Sequence, residues 1–452
     1  MNALSGAFRT PAEAEMIERF GAVQDRLPGT AAVKALRAEA FSIFERQGLP
    51  QRRIEAWKYS DLRARLKKIV PLAGKPNADA SAGALDAAKD AFTGLDRYRL
   101  VFVDGYFDPS LSDRAALSSE GVEVSALSDR LATESAEAAD LLAVPDIAAD
   151  DVAIALNTAF VVEGVHIVIA TGSRLSKPIE ILHIATGVAS AVHTRNRVVV
   201  GDGVEATILE ASFGGAAGSE INLVTEHRVG DGAKLTIARL QAIDFGATHI
   251  ATNLIRLAGN AQLKHLSVEA GGGFSRNQSF LSFAGEHSEA EIFGVSMLHG
   301  SRHIDQTLVV DHAVPHCRSA ELFKAIVDDR AKGVFQGKII VRPDAQKTSG
   351  KMMSQALLLS EEAEMAAKPE LEIFADDVIC GHGATSGQID SNMLFYLMAR
   401  GIPRREAERL LIEAFLADAV DAIGDNAIGD ALKGTISAWL NARIQTRGAT
   451  AA

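Results

Sequence analysis

The chain has 452 residues, of which 47% are hydrophobic and 23% charged, with 46 Lys and Arg against 58 Asp and Glu for a formal net charge of −12. That length suits two or three domains, or one extended domain with helical ends. The acidic balance argues against a nucleic-acid partner, which needs basic surface to meet phosphates.

The opening segment MNALSGAFRTPAEAEM has no basic stretch followed by an apolar run, so it does not read as a secretory signal. No stretch reaches the roughly 18 apolar residues of a membrane span. Cys317 and Cys380 are the two cysteines, far apart in sequence. They are expected as thiols in a reducing compartment, and the expected location is the cytoplasm.

Three regions follow one another: a mostly helical part at 1–145, a β-rich core at 146–375 and a helical part at 376–452. In the first, residues 31–46 (AAVKALRAEAFSIFER) hold strong helix formers, with Val33, Leu36, Ala40, Phe41 and Phe44 on one face. Gly48 and Pro50 stop that helix. Leu100 to Val103, then Asp104-Gly105 and Tyr106-Phe107, predict a strand and tight turn, because Asp-Gly readily supplies positive φ. The Ala-, Glu- and Leu-rich residues 132–143 predict a further helix.

From about 157 to 374 short β-branched runs alternate with glycine turns. Gly201-Asp202-Gly203 precedes VEATILEA, Gly230-Asp231-Gly232 precedes AKLTIARL, Gly259-Asn260-Ala261 precedes QLKHLSVEA, and Gly285-Glu286 introduces HSEAEIFGV. Recurrence every 26 to 29 residues in this register marks a solenoid whose units bury their apolar faces only by stacking. With almost no helical filler, a β-helix fits best, and a β-sandwich is the alternative. After Phe374 the helical pattern returns. Asp390 caps a helix through Met393, Leu394, Leu397 and Met398, and Pro403 sits at the first turn of the next. Ala407, Leu410, Leu411, Ala414 and Phe415 form a helical stripe, and a last helix over 431–444 carries Leu432, Ile436, Trp439 and Leu440 along one side.

Several motifs invite chemistry. Gly201-Asp202-Gly203-Val204-Glu205-Ala206 matches a dinucleotide fingerprint, but a β-branched strand follows where a helix N-terminus is required, so it reads as a solenoid turn. Gly337-Lys338 and Gly350-Lys351 are followed by Ile339 and Met352 instead of the Ser or Thr that holds magnesium, so no nucleotide site is expected. His312, His316 and Cys317 offer zinc or iron ligands without a recognised spacing, and a strand-end role fits better. The basic run from Arg52 to Lys68 reads as a solvated face, with Trp57 and Tyr59 anchoring it to its neighbour.

Cys380-Gly381-His382-Gly383 is different. In an extended chain Cys380 and His382 point the same way, and a soft thiolate beside an imidazole suits iron or an iron–sulfur fragment. Two ligands complete no metal site, so the rest must come from a second chain. A buried thiol with a structural histidine is the competing reading. Asp376 and Asp377 are nearby oxygen candidates that read more readily as turn formers.

Residues 334–402, containing VFQGKIIVRPDAQKTSGK and ELEIFADDVICGHGATSGQID, resemble the shared core of the SufB/SufD family of iron–sulfur cluster assembly proteins. Residues 48–63 (GLPQRRIEAWKYSDLR) and 100–112 (LVFVDGYFDPSLS) resemble its SufD branch. The family's commoner C-S-H-G is here C-G-H-G, with Gly381 in place of serine.

The resemblance implies a right-handed parallel β-helix between helical ends and a non-catalytic scaffold role. It implies pairing with SufB through the β-helix, binding of the SufC ATPase through residues 380–445, and iron or a nascent cluster handled between SufB and this chain. Cys380 and His382 carry over as the ligand candidates, His382 the stronger. A reduced flavin reaching the site through the complex, and pairing with a second copy when the chain is alone, complete the expectations. Two rivals remain: a structural partner that touches no metal, and a solenoid enzyme acting on polysaccharide. The latter needs a compact acidic cluster that the repeats lack.

Overall fold

The computed structural model describes residues 9–450. A β-solenoid of about eight turns runs between helical ends. Its strands form a ten-stranded and a nine-stranded sheet, and from Val165–Ile169 onward the chain crosses from one to the other at every strand. Pairing along the stack is parallel and in register. Thr248–Leu257 meets Glu220–Val229 on one side and Phe274–Phe283 on the other. Antiparallel pairs occur at the N-terminal end, where Tyr98–Val103 folds onto Tyr106–Asp108 and Val122–Ala126 onto Val165–Ile169.

The turn repeat has a conformational cause. At one edge of the stack six successive coils turn through a left-handed residue: Gly203, Gly232, Asn260, His287, His316 and Lys347, with φ between 55° and 67°. Glycine adopts this without strain, and asparagine tolerates it. Aspartates rivet neighbouring coils there. Asp202 Oδ1 accepts from the Asp231 amide at 2.9 Å, and Asp231 Oδ1 accepts from the Gly259 amide at 2.7 Å.

Alternation along each strand sends every second side chain into the lumen. Part of the lumen is apolar, with Leu257, Phe283, Ile292, Val310, Phe335 and Ile339 in one cluster. Another part is polar. Arg239 donates to Glu210 Oε1 at 2.9 Å and to Asn277 Oδ1 at 2.7 Å. His183, His227, His249 and His265 lie buried within electrostatic reach of that pair, and neither ring nitrogen of any of them has a hydrogen-bond partner.

The helical ends clasp opposite faces. Pro11–Val23, Ala31–Gln47 and Val152–Phe160 pack Phe20, Phe41, Phe44 and Phe160 together over one sheet. Trp57 is buried there beneath the Arg276 guanidinium, 4.0 Å from its ring centroid, and donates to Asp151 at 3.3 Å. On the other sheet Leu240, Leu266, Phe293 and Val295 meet Ile412, Leu416, Val420, Leu432 and Ile436 of Arg404–Asp421 and Asn426–Thr450.

Local differences from expectation have physical reasons. Residues 132–143 hold only the short helix Ala136–Asp140, and Val122–Ala126 is an unexpected strand that finds its partner across forty residues. Pro403 caps Arg404–Asp421 from just outside it, and the last helix starts at Asn426, five residues before the expected point. Strand structure also continues past Phe374. Ile379–Gly387 is a strand despite Gly381, Gly383 and Gly387, because Ser349–Leu358 beside it supplies a full ladder. No helix of the described residues is long and apolar enough to cross a membrane.

Candidate functional site

Ile379–Gly387 and Glu364–Ile373 are the last strands of the two sheets, so the solenoid ends there with its lumen and both ladder edges uncovered. Register fixes which side chains face that opening. Cys380 pairs with Gly350, His382 with Met352 and Ala384 with Ser354. In Ser349–Leu358 burial alternates so that Gly350, Met352 and Ser354 point inward, which places Cys380 and His382 on the lumen side together. Cys380 is half-buried against the apolar lumen, while His382 is exposed.

Burial pushes the Cys380 thiol above its usual range, and the charge of Glu321 adds to the shift, with the Gly350 backbone hydrogen bond opposing both. The resting thiol is therefore protonated near neutral pH, and binding a cation requires it to lose that proton. A side chain at Gly381 would meet nothing within 4 Å, so the family's serine fits and its absence costs the site no contact. Asp377 forms an ion pair with Lys347 and its amide donates to Gln346 at 2.9 Å, as expected of a turn former.

The other candidates lie apart. His312 Nε2 meets the Ser319 hydroxyl at 3.0 Å, and its ring stacks on Phe283. His316 stands at a coil corner against His287, with centroids 4.8 Å apart. Cys317 is fully buried, its thiol near the Gly285 carbonyl at 3.4 Å and raised by burial. These three are corner and core residues, because His316 occupies the left-handed turn position instead of an extended one. Among the described residues no three His, Cys, Asp or Glu side chains stand together in a way that could hold an ion.

One group escaped sequence reading. Glu321 lies inside the lumen, 3% exposed, on the strand Arg318–Val327. Burial raises its pKa to about 8, and a hydrogen bond from the neighbouring Ser319 hydroxyl offsets only part of that rise. The available signal was alternation: Ser319, Glu321, Phe323 and Ala325 share a face, so the charge sits on an inward row.

Beyond the opening, apolar side chains crowd the surface. Met353, Ile373, Phe374 and Ile379 are exposed around the last coil, followed by Met393, Phe395, Tyr396 and Met398 of the helix Ser391–Ala399. Phe395 is 73% exposed, and its neighbours on the same helix make the apolar surface a patch and not a single side chain.

Comparison with known proteins yields a consistent set of matches. Residues 183–415 match the SufBD core domain of SUF system FeS cluster assembly, and residues 13–181 match the SufBD protein N-terminal region. The chain is 34% identical to the iron–sulfur cluster assembly protein SufD of Escherichia coli over 399 residues, covering 85% of this chain and 87% of that protein. A SufBD family protein of Synechocystis is 31% identical over 83% of this chain and 84% of its own length. SufD of Bacillus subtilis is 27% identical over 60% of this chain and 62% of its own.

Proposed function

The chain belongs to the SufB/SufD family of iron–sulfur cluster assembly proteins, and from that premise we propose that it is a non-catalytic scaffold subunit of the SUF complex, pairing with SufB and docking the SufC ATPase. The observation that carries this reading is the uncovered end of the solenoid, where a thiol and an imidazole share one face with no third ligand beside them. Iron or a nascent cluster is the cargo there. Cys380 supplies a soft sulfur and His382 a borderline nitrogen, and SufB supplies the rest.

Pairing with SufB has a physical basis in the two terminal strands. An unpaired strand edge presents a row of N–H and C=O groups that another strand can continue. Around it the exposed Ile373, Phe374 and Ile379 provide apolar contact. SufC docks on the C-terminal part, residues 376–452. Its outward face is the Met393, Phe395, Tyr396 and Met398 surface, since Arg404–Asp421 is already committed to the solenoid through Ile412 and Leu416. ATP hydrolysis belongs to SufC. Nucleotide-driven association of two SufC subunits strains the SufB pair and opens the Cys380–His382 neighbourhood, a bistable interface biased by ligand. Electrons come from a donor such as a reduced flavin carried by the complex, in the reducing cytoplasm.

Replacing His382 by alanine tests the assignment. The expected outcome is an intact complex on co-purification with SufB and SufC, with cluster yield after anaerobic iron and sulfide loading reduced at least severalfold. Normal yield rejects the ligand role and leaves a purely structural partner.

A further inference from the structure

The two sheets end differently. Glu364–Ile373 carries Glu364, Lys368, Glu370 and Glu372 together with Pro369, whereas Ile379–Gly387 holds no carboxylate, lysine, arginine or proline. Among the described residues no strand lies beyond either. Proline and charge are the usual means by which an edge strand is kept from pairing with another chain. One edge is therefore defended, and the other is bare.

The flanking hydrogen bonds show which main-chain groups are free. The amides of Glu364 and Phe374 donate back to the Ala331 and Val341 carbonyls of the preceding coil. Successive residues of a strand direct their N–H and C=O groups to opposite sides, and the register is unbroken along both terminal strands. The odd-numbered residues from Met365 to Ile373 thus face the open edge. Pro369 is one of them, so the donor it lacks is missing from the middle of that row. In the other sheet the Ile379 amide donates back to the Thr348 carbonyl. Cys380, His382, Ala384 and Ser386 therefore turn both N–H and C=O outward, in a row without a gap.

Resting on the reading of SufB as the partner, we propose that its strand adds to Ile379–Gly387 alone, hydrogen-bonding to the main chain of Cys380 and His382 themselves. Glu364–Ile373 stays an uncovered edge. Strand addition takes its affinity from main-chain hydrogen bonds, and only the bare edge supplies them without interruption. The exposed Ile379 at the start of that strand adds apolar contact. A strand docked there lies about 4.8 Å away, so its lumen-facing side chains stand beside Cys380 and His382. Docking and completion of the ligand set are then a single event, because the residues that hold the partner's backbone also present the thiol and the imidazole.

The test is the affinity of the full-length chain for purified SufB, read with a matched pair of prolines. Ala384→Pro removes an outward N–H from Ile379–Gly387, and Ala367→Pro removes one from Glu364–Ile373. Neither N–H serves the chain's own ladder, and Pro369 already occupies such a position in this fold. Ala384→Pro weakens the complex by about tenfold or more, the value of a hydrogen bond whose partner carbonyl is left unpaired, and Ala367→Pro stays within about twofold of the wild type. Hydrogen exchange of the wild-type chain is the second measurement, and it serves if a proline disturbs folding. SufB binding slows exchange in residues 379–387 and leaves 364–373 unchanged. Equal loss in both variants, a larger loss in Ala367→Pro, or equally slowed exchange in 364–373 overturns the assignment of the edge. A complex that tolerates Ala384→Pro rejects that assignment alone. If the wild-type chain and SufB form no complex, the pairing itself is rejected and the edge assignment falls with it.

Discussion

Gly294 faces the Phe323 ring so closely that an added Cβ would overlap it, and the Gln306 carbonyl oxygen would stand 2.7 Å away. Both neighbours are locked in the lumen, so Gly294→Ala is expected to destabilise by about 1–3 kcal/mol, the usual cost of overpacking. Gly381 faces open space. Gly381→Ser is expected to change stability by less than about 0.5 kcal/mol. Chemical denaturation of the two variants side by side checks both. Residue types alone mark Cys380 and His382, because Cys-x-His in an extended chain places both side chains on one face. Glu321 sits in ELFKAIV with no motif around it, and only its place on an inward row distinguishes it from a surface glutamate.

At the scale of elements, the C-terminal helix Arg404–Asp421 is held by more than apolar contact. Lys324 on the outer face of the sheet is 3% exposed. Its ammonium donates to the Phe415 carbonyl at 2.7 Å and to Asp418 at 2.6 Å, and lies 4.5 Å from the Phe415 ring centroid. Lys324→Ala removes a charge-assisted anchor and leaves the helix carbonyl unpaired. A loss of about 1–3 kcal/mol is expected, concentrated as faster hydrogen exchange in residues 404–421 with the solenoid strands unchanged. The coil turns show how far an element can be read from its letters. Glycine at Gly203 and Gly232 announces the left-handed position, whereas His316 and Lys347 fill the same position without announcing it. The repeat therefore fades in the sequence before the solenoid ends, which is why Ile379–Gly387 reads as the start of the helical part.

The whole molecule buries an unusual number of titratable groups. Burial lowers His183, His227, His303 and His312 to about 4 and His193, His249 and His265 to about 3. In the unfolded chain histidine titrates near 6.5. Between these values unfolding takes up protons at each site, so their contribution to stability is complete above about pH 6.5 and is lost as pH falls toward 4. Burial also raises Glu220 and Glu269 to about 7 and Glu321 to about 8, which acts in the opposite sense, stabilising the fold at acid pH and weakening it as pH rises through those values. Seven histidines outnumber three carboxyls. The expected result is a net fall in the urea midpoint from pH 6.5 to 4.5; a flat or rising midpoint contradicts it.

Local chemistry in the sequence determined the alternating strands, the left-handed glycine turns, the capped helices and the pairing of Cys380 with His382 on one face, since each depends on residues a few positions apart. Which coil comes last, and hence that this face opens outward, was decided only by tertiary structure. An edge is defined by a strand that is not there, and no local pattern encodes that. The same holds for Glu321, whose charge reaches Cys380, 59 residues on along the chain, only because Arg318–Val327 stacks two strands below Ile379–Gly387.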